Sequence, residues 1–586
     1  MTLHPGASRA AQLAALSVLA VLGTPALAQP SVVIGGLGTE ETRAVARDAA
    51  GNVFVAGVFE QTVDFDPTDG PDAADTFTSP AGVAAFVASY RANGTFRWAA
   101  PLSSGLSRNV NATDLATDGV RVYVAGSFDG TVDFDAGPGT ASRTSAGDFD
   151  AFLVAYDAAT GAPAWVAAVG NTLRGSATGV DVLDGRVFVS GALQGQVDFD
   201  PGVGVANRSA ASTQRSNAWI GAYRAADGAF LWAGVFLGSG GSQDVTIAPD
   251  VAADGARVAT AGFFTGTVDF DPGGGTQVSP AGTSDLFVVG LDAATGAFGW
   301  GVPLAGPSNE SLEDVAARGG VVFVGGGSGG GVDFDPGPGT AVPANAQSYV
   351  AAYDLATGAF RWAGGYNFSV GLRLAADGGR VVVAGSILTG TLDLDPGPGV
   401  QNRTSNGGND AWLAAYGATD GAFGWANAVG GTGGDVGQAV DAAAGRVSLG
   451  VRFNGTTDLD PGPAAQPRTS AGSEDVFVAS YDAATGAFVV AVAAEDDPRA
   501  VRLFAVTPNP SERGQGRVRL VLDEGGPVSL ALYDVLGRRI AVLFEGQAAA
   551  GAPVEAAFPV GLPPGVYVVR AATAAGVASR RFTVVR

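Results

Sequence analysis

A four-residue motif, Val-Asp-Phe-Asp or a close variant, returns seven times along this chain. Its aspartate pairs are Asp64/Asp66, Asp133/Asp135, Asp198/Asp200, Asp269/Asp271, Asp333/Asp335, Asp393/Asp395 and Asp458/Asp460. Successive first members stand 60 to 71 residues apart. A near-constant period of this size means repeated structural units, each of which completes its core only against its neighbours. The motif therefore constrains the fold before any single residue is given a role.

Aligned on the aspartates, each unit carries four apolar runs of strand length, which in the first unit are residues 44–48, 53–59, 85–90 and 96–102. The turn between the first two is rich in Asp, Gly and Asn, as at residues 48–52, and the turn between the last two recurs as Asp-Ala-Ala-Thr-Gly-Ala at 157–162, 292–297 and 482–487. These are hairpin signals, so the unit is expected to be a four-stranded antiparallel meander. Trp98, Trp165, Trp232, Trp300, Trp362 and Trp425 share one place in the fourth run of six units, and Val489 holds it in the seventh. A large aromatic repeated there is expected to fill the space between neighbouring sheets. Trp219 and Trp412 stand in the third run, where other units have Phe86, Phe152, Phe287, Tyr349 and Phe477, and read as core.

Seven such units fit an all-β, seven-bladed β-propeller, whose radial closure leaves only short protected edges. The competitor is a linear solenoid, which needs polar caps at both ends. Residues 31–36 resemble a fourth strand placed ahead of the first unit, able to complete the last sheet and close a ring. They compete for that place with residues 488–494, and the sequence leaves both open.

Composition narrows the chemistry. With 46% hydrophobic and 15% charged residues over 586 positions, the chain has the make-up of a large folded body, and its 90 glycines fall between apolar runs. Residues 1–28 read as a secretory signal peptide, with Arg9, an apolar stretch at 13–22 and a small-residue cleavage site at 26–28. No other segment approaches the length of a bilayer span, so no transmembrane anchor is expected. There is no cysteine, and the one histidine, His4, lies in the leader. Disulfides, thiolate metal sites and imidazole-dependent nucleophiles or zinc centres are excluded from the mature protein. Residues 29–499 carry a net charge near −28 and residues 500–586 near +4, with arginine as the sole basic side chain beyond the leader. So acidic a body argues against nucleic acid as a partner.

The repeats resemble the bacterial seven-bladed β-propeller repeat family, through Asp-Ala-Ala-Gly-Asn-Val-Phe-Val-Ala-Gly at 48–57 and strands opening like Asp150-Ala151-Phe152. The resemblance covers about 460 residues and implies a fold without a shared activity. After Glu495-Asp496-Asp497-Pro498 the repeats stop. The strand-like runs at 518–522, 528–533, 540–544, 566–571 and 581–585 suit a small Ig-like β-sandwich. Thr-Pro-Asn-Pro-Ser at 507–511, Leu-Ala-Leu-Tyr-Asp-Val-Leu-Gly-Arg at 530–538 and Gly-Leu-Pro-Pro-Gly-Val-Tyr-Val at 561–568 make this segment similar to the C-terminal sorting domain of the type IX secretion system. The last strand carries arginines where relatives often have lysine, as does the whole chain. The resemblance implies the secretion machinery as a partner, export across the outer membrane and a cell-surface or secreted destination. The expected domains are a signal peptide at 1–28, a propeller at 29–495, a linker at 496–503 and the sorting domain at 504–586.

Within each motif the two aspartates point to the same side of a strand. Asp-Phe-Asp-Pro-Gly, as at 198–202 and 333–337, offers alternating oxygens and a sharp turn, which makes Asp64, Asp66, Asp133, Asp135, Asp198, Asp200, Asp269, Asp271, Asp333, Asp335, Asp393, Asp395, Asp458 and Asp460 candidate Ca2+ ligands. The bidentate glutamate of a calcium loop is missing, and the alternative is that these side chains accept backbone hydrogen bonds at the loop tip. Paired carboxylates also admit a glycosidase, yet seven near-equivalent copies do not supply the two unlike environments that an acid and a base require, so no catalytic residue is assigned. A single specialised site has room only in irregular stretches such as the one around Asn309, Glu310 and Glu313. The leading expectation is a surface or secreted binding module with an extracellular glycan or surface protein as ligand. A polysaccharide-degrading enzyme using face carboxylates, and a purely structural surface protein, are the alternatives.

Overall fold

The computed structural model describes residues 31–66, 75–103, 110–238, 246–273, 278–280, 284–344, 347–367, 369–462, 465–489, 503–507, 511–512, 516–522, 526–534, 539–549, 551–559, 561–563, 565–573 and 576–585. The leader, most of the 496–503 linker and parts of the three C-terminal motifs lie outside these residues. The described chain is all-β, with no helix. No helix among the described residues is long and apolar enough to cross a membrane.

Seven antiparallel four-stranded units follow one another. In the first, Glu40–Arg47, Val53–Asp64, Thr76–Tyr90 and Phe96–Leu102 pair in chain order. The inner strands of the other six are Val110–Thr117, Gly175–Leu183, Thr246–Asp254, Ser311–Arg318, Ser369–Asp377 and Asp435–Ala443. All seven are interrupted by a register shift, between Thr42/Ala44 in the first and Gly437/Ala439 in the last. A bulge of this kind bends the strand and raises its twist, which curls each sheet.

The first and last units meet. The Arg47 backbone N–H donates to Asp441 Oδ2 at 2.7 Å, and that of Thr42 to Gln438 Oε1 at 3.1 Å. Ser31–Gly36 completes the seventh sheet by pairing residues 31–34 with 479–476, and its last two residues pair with Val63 and Asp64 of the first. Phe488 bridges Tyr481, and the Val489 N–H donates to Ser480 O at 2.8 Å. The N-terminal strand pairs along strand Asp475–Asp482, and 488–489 covers its turn end; the rest of the rival run, 490–494, lies outside the described residues. The curled sheets and their closure are those of a β-propeller, not of an open solenoid.

Every repeated tryptophan sits at a junction. Trp98 Nε1 donates to Ala158 O of the following unit at 3.2 Å, and the other five do the same to Ala225, Ala293, Leu355, Ala418 and Ala483. Each ring lies on the glycine of the next unit's last turn: Gly161, Gly228, Gly296, Gly358, Gly421 or Gly486, all with φ between +66 and +73. The turn of the first unit, Arg91-Ala92-Asn93-Gly94, departs from this sequence, and the seventh unit has Val489 where the others place their tryptophan.

The C-terminal segment forms two sheets, Leu503–Thr507, Arg517–Val521 and Pro553–Ala557 in one, and Ser511–Glu512, Gly576–Val585, Gly565–Thr573, Gly526–Asp534 and Arg539–Ala548 in the other. Val518, Leu520 and Val554 of the first share a core with Leu530, Leu532 and Val569 of the second. Three of these eight strands, at 503–507, 511–512 and 553–557, lie beyond the five apolar runs legible in the sequence.

Candidate binding face and central channel

The aspartate motif follows the second strand of each unit, continuous with it in Val53–Asp64 and otherwise just beyond it, on short strands such as Thr131–Asp133, Gln196–Asp198 and Thr391–Asp393. Its apolar members point inward: Phe65, Phe134, Phe199, Phe270, Phe334, Leu394 and Leu459 are all fully or almost fully buried. Phe134 packs on Phe152 with centroids 5.0 Å apart, and Phe334 on Tyr349 at 4.7 Å. A tyrosine in the third strand then caps the carbonyl of the buried residue. Tyr156 Oη donates to Phe134 O at 3.1 Å and Tyr416 Oη to Leu394 O at 2.8 Å, with Tyr90, Tyr223, Tyr353 and Tyr481 alike. Leu291 replaces this tyrosine in the fourth unit.

The aspartates themselves point the other way. Asp133 Oδ1 accepts the N–H of Asp135 at 3.1 Å and of Ala141 at 2.8 Å, closing the loop, while Asp135 Oδ1 accepts that of Gly137 at 2.8 Å. The same three bonds recur around Asp198/Asp200, Asp333/Asp335, Asp393/Asp395 and Asp458/Asp460. Asp64 accepts from Asp66, Asp269 from Asp271, and Asp271 from Gly273. The loop is so tight that a Cβ on Gly139, Gly204, Gly339 or Gly399 would meet the second aspartate's Oδ2 at 2.0–2.1 Å. Among the described residues no three His, Cys, Asp or Glu side chains gather as a metal cluster. In three places the motif also takes an edge from the preceding unit, pairing Gly35/Gly36 with Asp64/Val63, Leu237/Gly238 with Asp269/Val268, and Gly430/Gly431 with Asp458/Thr457.

A second set of carboxylates, not singled out by the repeat, lines a cavity of about 560 Å³ enclosed by all seven inner strands. These strands pair on one side only, which leaves N–H groups on the channel edge needing acceptors. Asp114, Asp250 and Asp314, each just past a bulge, accept from the next inner strand at Val180 (2.7 Å), Val315 (3.0 Å) and Leu374 (2.6 Å). Two positions further along, Asp181 accepts from Ala253 and Asp441 from Arg47, both at 2.7 Å. Burial pushes Asp114 up to about 7 and Asp181 and Asp441 to about 6, and it raises Asp250 well above the usual range with help from the charge of Asp314. Arg43, Arg47, Arg318 and Arg373 share the channel wall. Of the irregular pair noted in the sequence, Glu313 lies on this wall and accepts from Leu372 N, whereas Glu310 is buried at a junction between units.

The channel opens through Arg43 and Asn111 into a mouth of about 700 Å³ bounded by the first three units. Its polar lining includes Glu41, Glu60, Arg174 and Gln194, and Phe149 supplies a ring over which the Arg174 guanidinium stands at 5.3 Å. Glu41 is held by Arg43 at 2.7 Å and by Arg452 at 3.1 Å. Donors and acceptors converge here beside an aromatic face, in contrast to the motif loops, whose carboxylate oxygens hold their own backbone.

No family model matches the chain, and no curated protein matches it. Among solved structures, it is similar to the quinohemoprotein alcohol dehydrogenase ADHIIG of Pseudomonas putida HK5, at 13% identity and a TM-score of 0.33 over 84% of this chain and 72% of that one. The quinohemoprotein alcohol dehydrogenase of Comamonas testosteroni matches at 13% identity and a TM-score of 0.35, over 85% and 73%. PorZ, a bacterial surface component of the type-IX secretion system of Porphyromonas gingivalis, matches at 12% identity and a TM-score of 0.16, over 95% and 100%.

Proposed function

We propose that this chain is an exported seven-bladed β-propeller, at the cell surface or secreted, that binds an extracellular carbohydrate at the mouth of its channel. Its C-terminal module, an Ig-like sandwich at 504–586, is its address to the type IX secretion machinery. One observation carries the binding reading: the mouth of about 700 Å³ combines an aromatic ring, two arginines and several amides and carboxylates in one concave surface. A sugar is recognised by such a mixture, its hydroxyls by charged and amide groups and its apolar face by a ring. The export reading rests on the sequence motifs of the leader and of the last domain.

The test is a glycan array followed by calorimetry on the mature protein. A hit whose affinity falls at least tenfold in Arg174→Ala and Gln194→Ala, with the unfolding midpoint unchanged, supports the reading. Binding that survives both variants places the ligand elsewhere and refutes it.

The raised carboxylates of the channel favour a second reading, polysaccharide hydrolysis, since a general acid must stay protonated near neutrality. Their oxygens are already engaged by strand N–H groups, which sets this reading second. Release of reducing ends from a bound glycan, abolished by Asp250→Asn, would move it to first.

A further inference from the structure

Three junctions between units share a buried arrangement that neither the motif loops nor the channel includes. The residue at or just before the start of an inner strand donates its N–H to the carbonyl just before the third strand of the preceding unit: Glu40 to Glu474 at 3.1 Å, Glu310 to Ser284 at 3.1 Å, and Asp435 to Asn409 at 2.6 Å. This clamp brings the opening acid beside the acid that leads the third strand. Glu40 meets Asp475, Glu310 meets Asp285, and Asp435 meets Asp410. All six side chains are at most 3% exposed.

Their hydrogen bonding is incomplete. Asp475, Asp410 and Asp435 each use Oδ2 to accept one backbone N–H, from Ala471, Asn406 and Gly431 at 2.7–2.8 Å. Oδ1 of all three, both carboxylate oxygens of Glu40 and of Glu310, and Thr457 Oγ1 make no well-formed hydrogen bond, although Glu40 lies within reach of Asp475 and Asp435 within reach of Thr457. Glycines on the neighbouring segment leave the space open: a Cβ on Gly35, Gly430 or Gly306 would fall 2.4, 2.4 or 2.2 Å from Asp475, Asp410 or Glu310. Two facing buried carboxylates with no arginine between them cannot both stay charged unless a cation or a shared proton lies between them. The chemistry of the donor set selects the cation. Oxygen ligands alone and two negative charges suit a hard divalent ion.

We propose that each of these three junctions binds a divalent cation of the calcium class, held by one carboxylate from each of two successive units. The junction between the second and third units is the built-in control. It has the same clamp, Gly175 N to Phe149 O at 2.7 Å, and the same leading acid, Asp150, but a glycine where the second carboxylate would stand. It binds no cation. One of the three sites spans the seventh and first units, so its occupancy fastens the ring where the chain ends meet.

Equilibrium dialysis of the stripped mature protein against calcium chloride, in mildly alkaline buffer, tests this directly. The expected result is three equivalents bound per chain, two in each of Glu40→Gln, Glu310→Gln and Asp435→Asn, and three still in Asp150→Asn and in the motif variant Asp133→Asn. Each change is close to isosteric, and the wild-type stoichiometry decides the matter even if a variant fails to fold. No bound calcium overturns the proposal and leaves each pair sharing a proton, which is read independently as a midpoint that rises with acid and ignores calcium. Seven equivalents, lost one at a time by motif variants, overturns it in favour of the loops.

Discussion

Replacing Gly421 with alanine tests whether rings seated on glycines hold the units together. Gly421 has φ +66, and an added Cβ would lie 2.8 Å from the Trp362 ring of the preceding unit. The left-handed backbone costs alanine about 1–2 kcal/mol, and forcing a methyl group against a packed ring adds about 1–3 kcal/mol. The expected loss for Gly421→Ala is therefore about 2–5 kcal/mol. Trp362→Ala is expected to cost about 3–5 kcal/mol by itself, since it empties a buried site and removes the 3.1 Å indole bond to Ala418 O. In that background the methyl group has room, and only the backbone strain remains. The double-mutant cycle should return a coupling of about 1–3 kcal/mol. Guanidinium unfolding followed by tryptophan fluorescence suits the measurement, because all eight tryptophans lie between residues 98 and 425 and report on the repeats alone. Losses that add to within about 0.5 kcal/mol would refute the seating of the ring on the glycine. The pairs Trp98/Gly161 and Trp300/Gly358, whose ideal Cβ lies 2.6 Å from the ring in both cases, should behave alike.

In calcium-free buffer stability should fall as pH rises. Glu40 is pushed up to about 8, Asp114, Glu310 and Asp435 to about 7, and Asp181 and Asp441 to about 6, chiefly by burial, so the native state holds protons that the unfolded chain has already released. The added stability is complete below the ordinary carboxylate range and is lost progressively from there up to the raised values of about 6 to 8, so a midpoint that climbs over that window contradicts the burial argument. Tyr156→Phe leaves the buried carbonyl of Phe134 without its donor and should cost about 1–3 kcal/mol by denaturant unfolding, while Phe in the structurally matched place of Leu291 should cost far less because no hydroxyl is lost there. Ile34→Asp puts a charge at a fully buried point of the closing strand and should cost at least about 3 kcal/mol; a smaller effect would mean that residues 31–36 do not hold the seventh sheet.

The parts of the molecule that repeat were legible and the parts that do not were hidden. Four runs per unit, the hairpin turns and the junction tryptophans recur at one period, so alignment exposes them. The channel acids escape it because they occupy two different positions, Asp114, Asp250 and Asp314 at one and Asp181 and Asp441 at the other, with Ala44, Gly179, Arg373 and Ala439 at the first position in the remaining units. Glu310 was visible as an irregularity, yet its neighbour Asp285 belongs to the preceding unit, and only the clamp from Ser284 brings the two together. The closing strand could not be assigned because strand pairing is a tertiary choice: residues 31–34 and 488–489 divide one edge between them. The tyrosine caps were missed for a simpler reason. Tyr156 reads as one more core aromatic until its hydroxyl is seen to reach Phe134 O.

Because Ser31 pairs with Ala479, the segment made first is among the last to be placed. The N-terminal strand must wait, through the synthesis of all seven units, for an edge that does not yet exist. Contacts this distant in sequence slow the final step of folding, and until it occurs the seventh sheet presents an open edge. The ring can lock only once both ends of the repeat region are present together, so any change that delays the seventh sheet also delays closure.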